Sequence, residues 1–306
     1  MLWKYSFVAI IALVNLVPDI ADAQSENLTG SPLDISFDHV LADDGTTQLE
    51  FGLNYNVLDQ RKINTRYQSF LTQGGRFIDI PINVSTVDQE RRTLVADFGF
   101  RYGLTSSLEI QSSISALHMQ AQGYDSFSKT VHSSSETQFS DFSIRLSQRM
   151  GTPNKYPASI GFFETSIVQN SSRLGNELHH FKSFTFGATA YFPSDPLLLV
   201  IASGYKFREP RKLKKEKVDP GNTIFLHPSV SFAVNNEISL SGGVSVQSIG
   251  RDKVNGLDTT NSRTQADAIF GLSFGLDQET NISFETKFGV IGDETLGLSL
   301  NLSKDM

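Results

Sequence analysis

Ten charged residues lie at polar positions of segments in which polar and apolar residues alternate. They are Glu50, Asp97, Arg101, Glu109, Asp141, Arg145, Arg149, Asp267, Glu285 and Lys287. If those segments are strands, their alternation places all ten on one face of a sheet. Charges of both signs on a shared inner face either line an aqueous path or cross-link into a closed polar core. The sequence leaves both interpretations open.

A basic run over residues 206–217 is the second charged feature. It contains seven basic residues and two acids, a net charge of +5. The basic members are Lys206, Arg208, Arg211, Lys212, Lys214, Lys215 and Lys217. Lys206 also has the phase of the inward set. We interpret the run as a solvated external loop, and its functional alternatives are a contact with lipopolysaccharide phosphates or an electropositive pore entrance. At an entrance it would concentrate anions within about 8–10 Å, the Debye length near physiological salt.

Catalytic and metal-binding chemistry is not indicated. His179 and His180 are adjacent, and neighbouring residues on a strand point to opposite faces, so the pair cannot readily chelate one metal ion. The chain has no cysteine, which excludes disulfides, thiol catalysis and a lipoprotein anchor. We therefore expect no enzyme activity and no cofactor, and a barrel lipase or protease is only the third candidate function.

The N-terminus has the features of a cleaved signal peptide. Lys4 precedes an apolar run over residues 7–17, and residues 21–23 (Ala-Asp-Ala) form a small-x-small cleavage site. We predict a signal peptide over residues 1–23 and a mature chain that begins at Gln24. A run of eleven residues, interrupted by Asn15, is too short to span about 30 Å of hydrocarbon as a membrane anchor.

Residues 24–45 show no hydrophobic period and are rich in acids. We interpret them as a flexible arm or a small plug of a lumen. The whole chain has a net charge of -7, and this mild acidity gives no support to a nucleic-acid partner.

From residue 46 onward the chain is predicted to form about twelve strands, because apolar residues alternate with small or polar ones at the strand period of two. Residues 295–303 show this most clearly, since leucine occupies every even position from 296 to 302. The predicted strands are 46–60, 88–103, 107–120, 137–150, 157–169, 180–192, 196–208, 222–234, 237–249, 265–276, 280–290 and 295–303.

The region 58–90 has two interpretations. Residues 64–71 and 77–85 either extend the first two strands into a tall hairpin beyond the membrane or add a strand pair to the sheet. The second interpretation would raise the number of strands to fourteen. Pro81 and the mixed pattern favour the tall hairpin.

Three features favour a transmembrane barrel over a soluble β-sandwich. The polar face is rich in glycine and serine, as expected when lipid lies outside and a lumen inside. Aromatic residues such as Tyr191 and Tyr205 gather at strand ends, which suits interfacial girdles. Short turns alternate with long polar loops, the arrangement of periplasmic turns and external loops. The long loops are predicted near 121–136, 170–179, 209–221 and 250–263.

Residues 93–105 (TLVADFGFRYGLT) and 107–109 (SLE) resemble a hairpin of a known barrel family. These are the outer-membrane proteins described as transporter-like or phenol-degradation meta-pathway-like, which include barrels similar to the export channel of secreted amyloid. Shorter similarities occur at 220–222, 232–235 and 292–294, and the resemblance spans about 46–303. It implies an outer-membrane barrel that conducts or exports a solute, and it identifies no substrate.

The sequence thus predicts an all-β, antiparallel transmembrane barrel over residues 46–306, located in the bacterial outer membrane. The first candidate function is a channel or transport barrel with a charged lumen. The second is a structural or interaction barrel with a closed lumen and surface-binding loops. Expected partners are outer-membrane lipid and lipopolysaccharide, the barrel-assembly machinery and a transported solute.

Overall fold

The computed structural model describes residues 41–60, 67–72, 75–81, 88–125, 130–150, 158–171, 177–213, 216–292 and 294–306. The predicted signal peptide and residues 24–40 lie outside this range, so both remain predictions. Among the described residues, no helix is long and apolar enough to cross a membrane.

The described chain is built from β-strands. In chain order they are β1 (Thr47–Gln60), β2 (Tyr67–Leu71), β3 (Phe77–Pro81), β4 (Asp88–Thr105), β5 (Leu108–Asp125), β6 (Thr130–Met150), β7 (Ala158–Ser171), β8 (Glu177–His180), β9 (Ser183–Ser194), β10 (Leu197–Arg208), β11 (Arg211–Leu213), β12 (Glu216–Asp219), β13 (Thr223–Ala233), β14 (Ile238–Ile249), β15 (Lys253–Val254), β16 (Leu257–Asp258), β17 (Arg263–Gly275), β18 (Thr280–Ile291) and β19 (Glu294–Asp305).

Twelve strands form one closed antiparallel barrel. The thirteen-stranded main sheet runs β6-β5-β4-β1-β19-β18-β17-β14-β13-β10-β9-β7-β8, and an additional β6–β7 pairing closes it into a ring to which β8 is appended. The first and last barrel strands pair over twelve residues, from Gln48 opposite Asp305 to Asp59 opposite Glu294. The predicted all-β barrel and its twelve strands are therefore confirmed.

The strand period separates an apolar outer face from a polar inner face. On β4, Asp97 and Gly99 are buried, whereas Phe98 and Phe100 are 48% and 40% exposed. The same outward exposure of large side chains recurs around the ring, for example at Phe186, Ile224, Leu240, Phe270 and Leu298. An outward apolar band around an inward polar face is the pattern of a barrel surrounded by lipid.

The hairpin β2–β3 lies inside the barrel, which corrects both interpretations of region 58–90. Its strands pair only with each other, as a separate two-stranded sheet. Phe77 packs against Phe225 of β13, while Ile78 packs against Val95 of β4. These two barrel strands lie on opposite sides of the ring, so the hairpin fills the space between them. Phe77 and Ile78 are consecutive apolar residues, so their side chains point to opposite faces of β3. Both faces therefore need to be covered, and the interior of the barrel covers them.

The predicted long loop 121–136 is also corrected, because most of it is strand. β5 continues to Asp125 and β6 begins at Thr130, with Tyr124 opposite Val131. Residues 133–135 of β6 are exposed on both faces. A hairpin that projects beyond the membrane has water on both sides, so its sequence lacks the alternation that marks the wall.

Adding a charge to the outer face is expected to destabilise the barrel. Phe284 of β18 is 48% exposed on that face, whereas its neighbour Ser283 lines a lumen cavity. Phe284→Lys should lower the free energy of unfolding by about 2–4 kcal/mol near the bilayer midplane. The matched control Ser283→Lys should have a much smaller effect. Equal losses in urea unfolding of vesicle-inserted protein would contradict the assignment of the two faces.

Candidate functional site: the charged lumen

All ten charged residues predicted for the inner face project inward by the phase of their strands. The most buried are Asp97, Glu109, Asp141 and Glu285. The other six are partly buried on the same inner face: Glu50, Arg101, Arg145, Arg149, Asp267 and Lys287. Lys287 forms an ion pair with Glu285 at 3.2 Å, and Asp267 accepts a hydrogen bond from Thr295. Their role as pore-lining residues remains a prediction.

Arg76 at the tip of the hairpin is the centre of the lumen network. Its guanidinium lies 3.3 Å from the carboxylate of Asp97 on β4 and 3.8 Å from that of Asp141 on β6. It also donates a hydrogen bond of 3.0 Å to the hydroxyl of Ser143. Ser115, which is cross-strand partner to both acids, donates to Asp97 at 2.7 Å. One cation between two acids therefore joins the hairpin to the wall.

Arg145 holds the turn of the same hairpin. Its guanidinium donates to the carbonyl oxygen of Gly75 at 2.8 Å and forms an ion pair with Glu164 of β7 at 2.7 Å. It also lies over the ring of Phe162, 4.7 Å from the ring centroid. Gly75 has a φ of +70°, a left-handed conformation that favours glycine. The tight turn and the two arginines fix the tip of the hairpin inside the lumen.

Arg101 and Glu109 form a second buried pair, close to the turn that joins β4 and β5. Two donors of Arg101 reach the two carboxylate oxygens of Glu109, at 3.1 and 2.6 Å. The sequence predicts this contact by placing the two residues directly opposite each other. In the structure Arg101 is opposite Gln111, because the turn lies at residues 106–107, with Thr105 opposite Leu108, and not at residues 104–106. The ion pair survives because a long side chain reaches its diagonal neighbour.

The chain just before β1 reaches the same end of the lumen. The backbone N–H of Ala42 donates to Glu109 at 2.7 Å, and Leu41 is buried. Asp44 forms a parallel bridge with Gly103. A Cβ atom at position 103 would lie 2.0 Å from the carbonyl oxygen of Asp43, so this close approach requires glycine. Residues 24–40 lie outside the described range, so the interpretation of residues 24–45 as a flexible arm or a small plug remains a prediction.

Three of the seven residues predicted for the external basic loop are buried instead. Lys206 is 2% exposed and lies over the ring of Phe77, where it donates to the carbonyl oxygen of that residue at 3.4 Å. Arg208 donates to the carbonyl oxygen of Gly221 at 2.7 Å, and Arg211 donates to Gln169 at 2.9 Å. These three cations donate to acceptors inside the barrel or within the loops. The charge run alone does not predict which of its residues are buried in this way. Lys212 and Lys217 are exposed, and Lys214 and Lys215 lie outside the described residues.

Two lumen cavities border the hairpin tip. One of about 200 Å³ lies between Arg76 and the wall formed by β1, β18 and β19. The other, of about 320 Å³, lies towards the short turns and is lined by Arg101, Glu109 and Arg145 on one side. Phe162, Tyr191 and other apolar or aromatic side chains line its opposite side, so Tyr191 faces the lumen and not the membrane interface predicted for it. Glu50 borders both cavities.

The adjacent histidines do not form a metal site in the described part of the chain. His179 and His180 lie on β8, opposite Gln169 and Val168 of β7. No group of three or more histidine, cysteine, aspartate or glutamate residues there could hold a metal ion.

Two charged residues of the lumen, Arg76 and Glu164, are not predicted from the sequence. Arg76 falls in region 58–90, for which the sequence favours a hairpin beyond the membrane over an additional strand pair, although its position after two glycines is the signal of a tight turn. Glu164 lies on the most irregular strand, β7, where the register shifts opposite Phe142 and Ser143. This bulge hides the inward phase of Glu164.

A closed twelve-stranded barrel with an apolar outer band and a charged interior defines the chain as a transmembrane β-barrel of the outer-membrane type. No known protein family matches its sequence, and no curated protein matches either. The transporter-like family suggested by residues 93–109 is therefore still a prediction.

Solved structures show the same architecture. An outer membrane channel from Pseudomonas putida F1 is similar with a TM-score of 0.67 and 10% identity, over 89% of this chain and 99% of that chain. The translocator domain of the autotransporter NalP from Neisseria meningitidis is similar with a TM-score of 0.51 and 9% identity, over 86% of this chain and 89% of that chain. At such identities the similarity shows the fold alone.

Removing Arg101 tests whether water reaches the buried pair. Glu109 has a side chain that is 2% exposed and would lose both donors of Arg101 in Arg101→Ala. We expect a loss of about 1–3 kcal/mol in the free energy of unfolding, because the adjacent cavity lets water rehydrate the carboxylate. The control Arg92→Ala, which breaks an exposed pair with Glu90, should cost about 0–1 kcal/mol. A loss of roughly 3–5 kcal/mol at Arg101 would indicate a dry interior instead.

Proposed function

We propose that the protein is an outer-membrane channel that conducts small solutes passively through its charged lumen, with the hairpin β2–β3 as the constriction. The observation that carries this proposal is the pair of cavities beside the hairpin tip, of about 200 and 320 Å³. A cavity of about 10–15 Å³ can hold one water molecule if it also offers polar partners. Both cavities are many times larger than this, and charged side chains line both.

The hairpin sets the width of the path. Twelve strands enclose a lumen between the filled interior of eight-stranded barrels and the open channel of sixteen-stranded porins. A two-stranded hairpin inserted into this lumen leaves space only beside it. The cavity next to Arg76 and the wall strands β1, β18 and β19 is that space. We infer that solutes pass along this side and that their size is limited there.

The lumen charges support weak selectivity. The arginines at the hairpin and the turn end each contact an acid: Arg76 with Asp97, Arg101 with Glu109 and Arg145 with Glu164. Paired charges present local dipoles to a passing ion rather than a strong field of one sign. Conduction of small polar solutes is therefore the function that the geometry supports.

The alternative is a structural barrel whose hairpin seals the lumen. The observation that favours it is the apolar packing of Ile78 against Val95, Leu117 and Met119, which closes one side of the lumen. The two functions differ in whether the intact protein conducts ions.

Removing the hairpin should widen the path. Replacing residues 66–82 with a short glycine-serine linker is expected to raise single-channel conductance severalfold in planar bilayers, because the constriction is removed while the twelve wall strands remain. The matched control Arg92→Ala, which changes only an exposed pair on β4, should leave conductance unchanged.

The wild-type recording separates the two functions. Conductance by intact protein, increased by removal of the hairpin, supports a channel that the hairpin narrows. Conductance only after its removal would favour the sealed structural barrel. Equal conductance of both proteins would contradict the role of the hairpin as the constriction.

A further inference from the structure

A basic surface cavity lies at the loop end of the barrel, apart from the lumen network. Its volume is about 660 Å³, and its lining combines the β7–β9 connection with the β10–β13 connection. Among the described residues that line it are four cations, Lys182, Arg211, Lys212 and Lys217, and no carboxylate. Four positive charges around one cavity indicate an anionic ligand.

Lys212 and Lys217 carry the strongest indication. They are direct cross-strand partners on β11 and β12, and both are exposed. Directly opposite residues have Cβ atoms about 4.5–5.5 Å apart, and like charges at this distance destabilise a strand pair. Among the described residues, no carboxylate forms an ion pair with either ammonium group. An anion bound between them would convert this repulsion into two favourable contacts.

The other two cations are held in place by the fold. Arg211 is almost fully buried, and its guanidinium donates to the amide oxygen of Gln169 at 2.9 Å. Lys182 forms an ion pair of 3.0 Å with Glu209, which offsets one positive charge. Lys212 and Lys217 together carry a charge of +2. A single carboxylate would balance only half of this charge, whereas a dianion would balance all of it.

We propose that this cavity binds a phosphate monoester. At pH 7 such a group carries nearly two negative charges and presents three acceptor oxygens, so several lysine and arginine donors can bind it at once. Long loops of outer-membrane barrels face the outside of the cell. Two sources of the group are available there: the phosphorylated sugars of lipopolysaccharide in the outer leaflet, and phosphorylated sugars in solution.

The test compares binding of three probes to the mature protein in detergent. The probes are bis-phosphorylated lipid A, dephosphorylated lipid A and glucosamine 6-phosphate. The double variant Lys212→Gln/Lys217→Gln should bind bis-phosphorylated lipid A at least about tenfold more weakly, since each basic residue near a phosphorylated surface contributes on the order of 1 kcal/mol. The matched control is Lys304→Gln, which removes an exposed lysine of β19 at the opposite end and should change nothing.

Folding and ligand source are separated in the same experiment. Without ligand the double variant should melt at or above the wild-type temperature, because the substitution removes a repulsion. If glucosamine 6-phosphate displaces lipid A at concentrations near its own dissociation constant, the site is supported and its ligand is a phosphorylated sugar in solution. Binding of lipid A that the sugar phosphate does not displace supports it with a lipid source. Equal affinity of wild type and double variant, or equal binding of dephosphorylated lipid A, would overturn the proposal. Conductance is measured separately, so failure of the phosphate site leaves the channel proposal unaffected.

Discussion

The structure depends on one constraint: every backbone N–H and C=O group that faces hydrocarbon must be paired within the protein. A sheet satisfies this only when it has no free edge, and the pairing of β6 with β7 removes the last edge of the twelve-stranded wall. Closure then divides every wall strand into an outward and an inward set of side chains. The apolar outer band and the polar lumen are both consequences of this division.

Closure also brings charged residues from distant strands into one confined space, where each charge needs a nearby partner. Asp97 and Asp141 both lie across from Ser115, at the same level of the wall. The hairpin places Arg76 between them. Wall and hairpin are therefore interdependent: the acids hold the hairpin, and the hairpin supplies the cation that lets two acids lie close together. A simple alternation of apolar and polar residues cannot encode such a third element.

This explains which features could be predicted from the sequence. The wall strands are evident because lipid on one side and a lumen on the other impose a strict period on each of them. The hairpin packs inside the barrel against strands that are distant in the chain. Its own pattern of apolar and polar residues therefore does not predict where it lies. The ion pair of Arg101 with Glu109 is predicted from the turn, but its register is not, because the turn lies at residues 106–107 and not at 104–106. Lys206 has the inward phase of its strand and also begins the basic run. It is buried, so the strand phase predicts its position and the basic run does not.

The distribution of charge divides the molecule into two regions with different chemistry. Inside, arginine–carboxylate pairs within 4 Å cancel each other's field over short distances, so in the proposed channel the space beside the hairpin would be the main restriction on solutes. At the loop end, Lys212 and Lys217 reinforce each other because they are of like sign and directly opposite. Their field extends over about a Debye length, roughly 8–10 Å in physiological salt. The proposed binding of anions at the surface and the proposed limitation of solute size inside thus involve separate parts of the chain, and a substitution in one can leave the other intact.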